Sequence, residues 1–303
     1  MIELSNGYSI PEICFGTDIV SGFYFDHNII TASMIKTAKK ILGRDTNRQR
    51  KEHGIIKCAN RAIDNNCFFF DTSRAYGCSE KMLKKALERY NRDQYYICTK
   101  LCNKHQLMGK SAKDCLKESM DQLGVDYVDL YLLHWPVENS YLQYWKQLEE
   151  LYREGLVRAI GVSNCKVHHL NEIKEIADIM PMVDEVELHP LLSEVELRRY
   201  CSDNSIQVMA YTSTARMDFR LLASKRLRMV CESTGKNLSQ VILRWHIQNG
   251  VIPIFNTSSL EHFIANMDVF SFSLDDDQMN IINSVNINAR TRYDSDNCEW
   301  DML

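Results

Sequence analysis

The strongest constraint on the fold of this 303-residue chain is a repeated alternation of short apolar runs and helix-like segments. Eight runs rich in β-branched and aromatic residues recur, and amphipathic stretches such as SEKMLKKALERY lie between them. The runs lie at 14–17, 68–71, 95–101, 128–135, 157–164, 182–189, 206–213 and 251–255. Several are apolar on both faces, as parallel strands covered by helices are. The pattern predicts an α/β fold, a (β/α)8 TIM barrel forming one domain over residues 1–303.

Composition narrows the functional classes. Apolar residues make up 45% and charged residues 25% of the chain, which is ordinary for a globular protein. A net charge of −4 gives no reason to expect a nucleic-acid or anionic membrane partner. There is no run of 18 apolar residues, and MIELSNGYSI lacks the pattern of a signal peptide, so we expect a cytoplasmic protein. Eleven cysteines without a CxxC pair predict reduced thiols and no metal site.

Polar side chains stand where several of the predicted strands end. The stretch FFFDTSRAYG runs Phe68 to Phe70 directly into Asp71, and Tyr76 follows five residues later. Because the carboxyl ends of all eight strands meet at one mouth, these side chains are expected to converge with others from neighbouring strands. The others are Lys100, His134, Ser163, Asn164, Glu185, Glu187 and Tyr211. Taken together, Asp, Tyr, Lys and His at neighbouring strand ends predict a general acid and the groups that tune its pKa.

Six ordered motifs carry a resemblance to a known family. They are DTSRAYG, CTKL, VDYVDLYLLHWP, GLVRAIGVSN, VELHP and LSQVILRWHIQNG, and in this order and spacing the chain resembles an aldo-keto reductase from Ile2 to Phe272. The resemblance implies a barrel closed at its bottom by an N-terminal β-hairpin, here with an Asn6-Gly7 turn. It also implies NADP(H) or NAD(H) bound without a glycine-rich loop, and a small-molecule carbonyl or alcohol substrate.

The resemblance assigns a role to each residue of the predicted site. It implies Asp71, Tyr76, Lys100 and His134 as the catalytic tetrad, with Tyr76 as the general acid or base. A tyrosine has a pKa of about 10, and a neighbouring Lys100 ammonium favours the phenolate and lowers that pKa. The cofactor-binding residues implied are Ser163, Asn164, Glu185, Tyr211, Asn256, Thr257, Ser258, His262 and Asn266. Asp18 and Trp135 are the implied substrate-binding residues.

Several of these positions depart from the family pattern. Glu185 stands where the family usually has a glutamine, and an ionised carboxylate there would favour the oxidised, cationic nicotinamide. Asn256 and His262 stand where a lysine and an arginine usually hold the 2′-phosphate of NADPH, so we expect a weakened or dual cofactor preference. Asp18 replaces an aromatic residue, which makes the substrate mouth more polar. The stretch AYTSTARMD after Tyr211 also differs from the usual pyrophosphate loop.

A long insertion is predicted at residues 19–54, between the first strand and the following helix, and a C-terminal tail at 287–303. Residues 36–54 carry seven lysines and arginines against two acids. The segment is either a solvated surface helix or a lid over the mouth, since loops that follow barrel strands lie there. In the second case Lys39, Lys40 or Arg44 could reach the phosphate of the cofactor.

The sequence therefore predicts a nicotinamide-dependent oxidoreductase that reduces an aldehyde or ketone, or oxidises the alcohol. We expect a monomer or weak oligomer. A nucleotide-binding sensor barrel with little turnover is the alternative that the altered cofactor-facing residues leave open. A metal-dependent hydrolase barrel is disfavoured, because the strand ends lack a set of histidine and carboxylate ligands.

Overall fold

The structure is a computed structural model that describes residues 1–18 and 46–298, with side chains omitted for 46–50. The β-strands are β1 (Ile2–Glu3), β2 (Ser9–Ile10), β3 (Cys14–Gly16), β4 (Phe69–Asp71), β5 (Tyr96–Leu101), β6 (Val128–Leu133), β7 (Val157–Ser163), β8 (Val183–Glu187), β9 (Gln207–Tyr211) and β10 (Ile252–Phe255). The first helices are α1 (Thr46–Ala62), α2 (Ser79–Leu87), α3 (Asn103–Leu107), α4 (Ala112–Leu123), α5 (Tyr141–Arg153) and α6 (Val167–Ile176). The later helices are α7 (Val195–Asp203), α8 (Phe219–Leu222), α9 (Lys225–Thr234), α10 (Leu238–Gln248), α11 (Leu260–Met267) and α12 (Asp276–Asn283).

Strands β3 to β10 close into a parallel barrel in chain order, with β10 pairing both β9 and β3. This confirms the predicted (β/α)8 TIM barrel. Its strands are buried on both faces, as the apolar runs indicated, and β6 is buried over its whole length. Several strands end one or two residues before the predicted runs do. Polar residues such as His134 instead begin the loops that follow.

The N-terminal hairpin predicted from the resemblance is also present. Strands β1 and β2 pair antiparallel, and Gly7 has the positive φ of 81° that this tight turn needs. The Tyr8 hydroxyl donates a hydrogen bond to Asp129 at 2.6 Å, near the N-terminal end of β6. The hairpin therefore lies at the N-terminal end of the barrel and leaves the opposite end for the site.

The helix after the predicted insertion begins earlier than the sequence indicated. Helix α1 begins at Thr46, so residues 46–54 belong to the helix that follows the first barrel strand. The apolar stripe of this 17-residue helix does not extend to its charged first turns. Once a helix has formed, each added residue contributes a further hydrogen bond, so the helix can continue into these turns. Residues 19–45, including Lys39, Lys40 and Arg44, lie outside the described residues, and with them the first part of the basic segment 36–54.

The C-terminal tail returns to the mouth of the barrel after α12. The amide nitrogens of Ile287 and Ala289 donate to the Leu191 carbonyl at 3.3 and 2.9 Å. Further on, the Lys166 ammonium lies 2.5 Å from Asp294 and 2.7 Å from Asp296. These contacts fix residues 287–296 across the loops that follow β7 and β8.

None of the helices within residues 1–18 and 46–298 is long and apolar enough to cross a bilayer.

Candidate active site

The C-terminal end of the barrel opens into a cavity of about 640 Å³, a size typical of small-molecule sites. Most of the residues that the sequence placed at strand ends line it. From the predicted set these are Asp18, Asp71, Tyr76, His134, Trp135, Ser163, Asn164, Glu185, Tyr211 and Asn256. The parallel register explains this convergence, because most of these side chains lie near the carboxyl end of a strand or in the loop that follows it.

Lys100 is the buried centre of the site, with a side chain that is 0% exposed. Its ammonium group forms an ion pair with Asp71, which ends β4, and donates to the Thr72 carbonyl at 3.2 Å. A second carboxylate, Glu185 on β8, lies 3.2 Å from the same ammonium. Burial alone would lower the pKa of Lys100, but its acidic neighbours, Asp71 foremost, outweigh burial and hold the pKa well above its usual value. Lys100 is therefore a permanent cation.

Tyr76 lies directly above this cation. The Lys100 ammonium is 5.2 Å from the centroid of the tyrosine ring. Burial raises the pKa of Tyr76 well above 10; the Lys100 charge lowers this pKa, whereas the charges of Asp71 and Glu185 raise it. The direction of the Lys100 effect is as predicted, but the net pKa of Tyr76 is raised because burial of the phenol outweighs the effect of the ammonium. Tyr76 is thus a protonated phenol.

His134 forms the third side of this cluster. Its ring is perpendicular to that of Tyr76, with centroids 5.7 Å apart, and its Nδ1 lies 3.4 Å from the Ser73 hydroxyl. Burial, together with the charges of Lys100 and Arg292, lowers the pKa of His134 well below 6.5. The imidazole is therefore neutral at physiological pH and can hydrogen-bond a neutral oxygen without charge.

Next to His134, Asn164 joins three elements. Its amide nitrogen donates to the His134 carbonyl and to the Ser163 hydroxyl, both at 3.0 Å. Its carbonyl oxygen accepts a hydrogen bond of 2.6 Å from the hydroxyl of Tyr211, the last residue of β9. The Ser163 hydroxyl in turn donates to the Glu185 carbonyl at 2.8 Å. This network holds the Tyr211 side chain and the Asn164 amide in place in the cavity wall.

The comparisons with known proteins agree with this geometry. The model of the Aldo/keto reductase family matches residues 41–287. The chain belongs to the aldo-keto reductase family. It is 36% identical over 251 residues to an uncharacterised oxidoreductase, YtbE, of Bacillus subtilis, which covers 81% of this chain and 89% of that protein. It is 40% identical over 199 residues to the glyoxal reductase of the same organism, covering 66% of this chain and 71% of that protein.

A solved structure supports the same membership. The aldo-keto reductase MGS-M4, from a deep-sea metagenome library of the Medee basin, superposes with a TM-score of 0.85 at 30% identity, and the match covers 99% of this chain and 100% of that one. The chain is thus an oxidoreductase of the carbonyl-reducing aldo-keto reductases, as the six motifs indicated.

The cavity wall fits the nicotinamide that this family uses. The Tyr211 ring offers an aromatic face, and Asn164 and Glu185 offer an amide and a carboxyl group beside it. Burial and the Asp71 charge raise the pKa of Glu185 to about 8, although Lys100 opposes the shift. Glu185 is therefore an uncharged carboxylic acid at neutral pH. In that form it can donate a hydrogen bond, as the glutamine expected at this position does.

Of the residues expected to hold the adenosine end of the cofactor, Asn256 lines the cavity and the others do not. Asn256 has a structural contact, because its amide donates to the carbonyl oxygens of Gly16 at 2.9 Å and Asp18 at 3.1 Å and so ties the last barrel strand to the first. Thr257 accepts from the Ser259 amide, and the Ser259 hydroxyl caps α11 by accepting from the His262 amide at 3.3 Å.

Three further members of that predicted set lie outside the cavity lining. His262 and Ser258 are exposed, whereas Asn266 is buried and accepts from the Ser239 hydroxyl at 2.9 Å. The structure thus gathers this predicted set along the β10–α11 loop and α11, beside the mouth. Their role toward a cofactor stays a prediction.

Sequence reasoning missed the basic residues of the mouth. Lys51 from α1, Arg216 from the loop after β9 and Arg292 from the tail all line the cavity. Arg216 lies in a run of three non-glycine residues with positive φ, from 48° at Ala215 to 57° at Met217. Such conformations persist where the surrounding structure holds them, often at functional sites. Only the basic composition of residues 36–54 hinted at Lys51, and no motif marked Arg216 or Arg292.

Proposed function

We propose that this chain reduces small aldehydes or ketones to alcohols, or catalyses the reverse oxidation, with Tyr76 as the general acid or base. The observation that carries the proposal is the buried Lys100–Asp71 ion pair beneath Tyr76, with neutral His134 beside it at the end of one cavity. The names of relatives, among them a glyoxal reductase, support small reactive carbonyls as the first substrates to test.

The four side chains divide the chemistry among them. A bound nicotinamide cofactor supplies the hydride that the carbonyl carbon accepts. Tyr76 donates its phenolic proton to the carbonyl oxygen, which becomes the alcohol hydroxyl. The ammonium of Lys100 stabilises the phenolate left behind, and Asp71 holds that ammonium in place. Neutral His134 orients the carbonyl oxygen by a hydrogen bond that needs no charge.

The proposal includes NADP(H) as cofactor, with NAD(H) as an alternative. Asn256 and His262 supply no permanent cation for a 2′-phosphate, and the Asn256 amide already bonds two main-chain carbonyls. Charge-assisted hydrogen bonds are about twice as strong as neutral ones, so NADPH preference should be weaker by about an order of magnitude or more than with both cations present. Dissociation constants for NADPH and NADH measure this directly.

We further propose that the protein is a monomer or a weak oligomer. Sedimentation of the purified protein tests this point.

The activity itself is tested by following nicotinamide absorbance with a panel of glyoxal, methylglyoxal, sugars and simple ketones, with each cofactor. Tyr76→Phe protein prepared in parallel is the control for contaminating reductases. Turnover by the wild type but not by the variant supports the proposal. Cofactor binding without turnover of any substrate would contradict it and favour a nucleotide-binding barrel without catalysis.

A further inference from the structure

A buried carboxylate anchors the C-terminal tail at the mouth. Glu187, the last residue of β8, is 0% exposed, and it accepts hydrogen bonds from three groups of the tail. The Thr291 amide and hydroxyl lie 2.7 and 2.6 Å from its Oε1, and the Arg292 amide lies 3.1 Å from its Oε2. A guanidinium nitrogen of Arg290 is 3.5 Å from the same Oε2. Such a carboxylate fixes the main chain of residues 290–292 on the rim of the barrel.

Glu187 is held in its ionised form by these contacts. Burial opposes ionisation, but hydrogen bonds from His189 and Thr291 outweigh it, and the pKa of Glu187 is lowered below its usual value. His189 is itself buried, with its Nε2 3.1 Å from Glu187. The anchor is therefore charged and rigid at physiological pH, and it belongs to the barrel wall rather than to a loop.

The consequence of this anchor is the placement of Arg292. With its main chain fixed at Glu187, its side chain lines the cavity together with Lys51 and Arg216. The three cations come from three separate segments of the chain. Their charges act on one another, because the Arg292 charge adds to burial in lowering the pKa of both Lys51 and Arg216. The charge of Asp18, which also lines the cavity, has the opposite effect and raises the pKa of Lys51 and of Arg216.

The Arg292 charge acts on both parts of the cavity. Its charge also acts on His134 and Tyr211, the side chains at the carbonyl-reducing end. Lys51 and Arg216 share the neighbourhood of Asp18, at the end of β3. A guanidinium in this position offers a planar fork of donors to a carboxylate or phosphate that lies next to the reacting carbonyl.

We propose that Arg292 binds an anionic group of the substrate, a carboxylate or phosphate a few bonds from the carbonyl carbon, and so makes this enzyme selective for acidic carbonyl compounds. The inference rests on the proposed reductase function and narrows its substrate class. Glu187 is the positioning residue, because it holds the main chain of Arg292. The anionic group takes no part in the bond changes; it orients the carbonyl toward Tyr76 and His134.

Glu187→Gln tests the positioning role. The variant keeps the size of the side chain but removes the negative charge to which the amides of the tail donate hydrogen bonds. It should raise KM for an acidic aldehyde and leave kcat and the KM of a neutral aldehyde within about twofold. Equal losses with both aldehydes would show that Glu187 supports only the fold. A melting curve for each protein shows whether the variant is folded. The experiment with Arg292→Gln does not require that Glu187→Gln folds.

The deciding experiment compares succinic semialdehyde with butanal, two aldehydes of similar length that differ in a carboxylate. We expect a higher kcat/KM for succinic semialdehyde in the wild type, and a loss of about tenfold or more for this substrate alone in Arg292→Gln. Arg226→Gln, which removes an exposed charge on α9, is the matched control and should match the wild type. A similar kcat/KM for the two aldehydes in the wild type, or equal losses in Arg292→Gln, would overturn the proposal.

Two binding measurements separate the alternatives. Dissociation constants for NADPH and NADH should be unchanged in Arg292→Gln; if they rise while the preference between aldehydes is unaltered, the bound anion is the pyrophosphate of the cofactor and the proposal is wrong. Binding of the product 4-hydroxybutanoate to the complex with oxidised cofactor needs no turnover. Weaker binding to Arg292→Gln than to wild type supports the anion site even if the reductase proposal failed, and equal binding contradicts it.

Discussion

The Lys100 ammonium lies 3.2 Å from Glu185 while it is paired with Asp71, so two carboxyl groups share one buried cation. Two carboxylates around a single positive charge cannot both remain ionised without cost in a buried site. Glu185 is the group that stays protonated, with its pKa raised to about 8 by burial and by Asp71. The protonation state of Glu185 thus depends on the ion pair that supports Tyr76.

Glu185→Gln should change cofactor selectivity in a pH-dependent way. At pH 7 the side chain is neutral in both proteins, and the ratio of the dissociation constants for reduced and oxidised cofactor should agree within about twofold. Above the pKa of about 8, wild-type Glu185 becomes an anion and should favour the oxidised, cationic ring, whereas the variant should not. Fluorescence titrations at several pH values measure the ratio.

Asp184→Asn is the control for that experiment, since Asp184 is the neighbouring buried acid of β8 and does not line the cavity. A variant-to-wild-type difference already complete at pH 6 would show that Glu185 is ionised there, contrary to the geometry around Lys100.

The same carboxyl group should make stability depend on pH. Because the pKa of Glu185 is raised from 4.5 to about 8 on folding, the native state binds the proton more tightly than the unfolded chain does. Its contribution is complete below about pH 4.5 and is lost as pH rises to about 8. Relative to Glu185→Gln, the wild type should lose on the order of 1 kcal/mol per pH unit across this window. Urea unfolding at pH 5, 6.5 and 8 tests the sign, and a difference that grows in the opposite direction would refute it.

Gly54→Ala should destabilise the protein although glycine lies in the middle of α1. Helix propensity alone predicts a gain of about 1 kcal/mol. However, a Cβ at residue 54 would overlap the carbonyl oxygen of Ser258, main-chain atoms that cannot turn away. We expect a net loss of about 1–3 kcal/mol in the free energy of unfolding. Asn60→Ala on the same helix reports the propensity effect without this contact. Stabilisation by Gly54→Ala would mean that α1 does not pack against the β10–α11 loop.

Lys100→Met should lose at least about 10²-fold in kcat, because it removes the cation that stabilises the Tyr76 phenolate. The Lys100 charge lowers the pKa of Tyr76, so its loss raises that pKa further and should move the alkaline limb of the pH–rate profile upward. Circular dichroism checks folding, because a buried acid is left unpaired. Lys104→Met, at an exposed position in α3, is the control, and a normal pH profile for Lys100→Met would contradict the coupling.

The sequence predicted the barrel and most of the site because both depend on local, regular signals. The run from Phe69 and Phe70 into Asp71 indicated a buried strand that ends at the rim of the barrel. Because parallel strands bring their carboxyl ends to the same rim, the other site residues could be placed beside Asp71. The charge of Glu185 could not be read, since its pKa depends on Asp71 and Lys100 from two other strands.

Other features were missed for a related reason. The start of α1 at Thr46 lies in a charged stretch without an apolar stripe, so the helix was predicted to begin too late. Arg292 reaches the mouth only because Glu187, 105 residues earlier in the chain, binds its main chain. Contacts between distant, irregular segments leave no periodic pattern.

The most direct test of the account is the rate of carbonyl reduction by Tyr76→Phe, measured with the cofactor dissociation constants of the same protein. The phenol hydroxyl is assigned to proton transfer, so its loss should lower kcat by about 10²-fold or more while cofactor affinity stays within a few-fold. A Tyr76→Phe enzyme that keeps most of the wild-type rate would contradict the assignment of Tyr76, Lys100, Asp71 and His134 as the catalytic group.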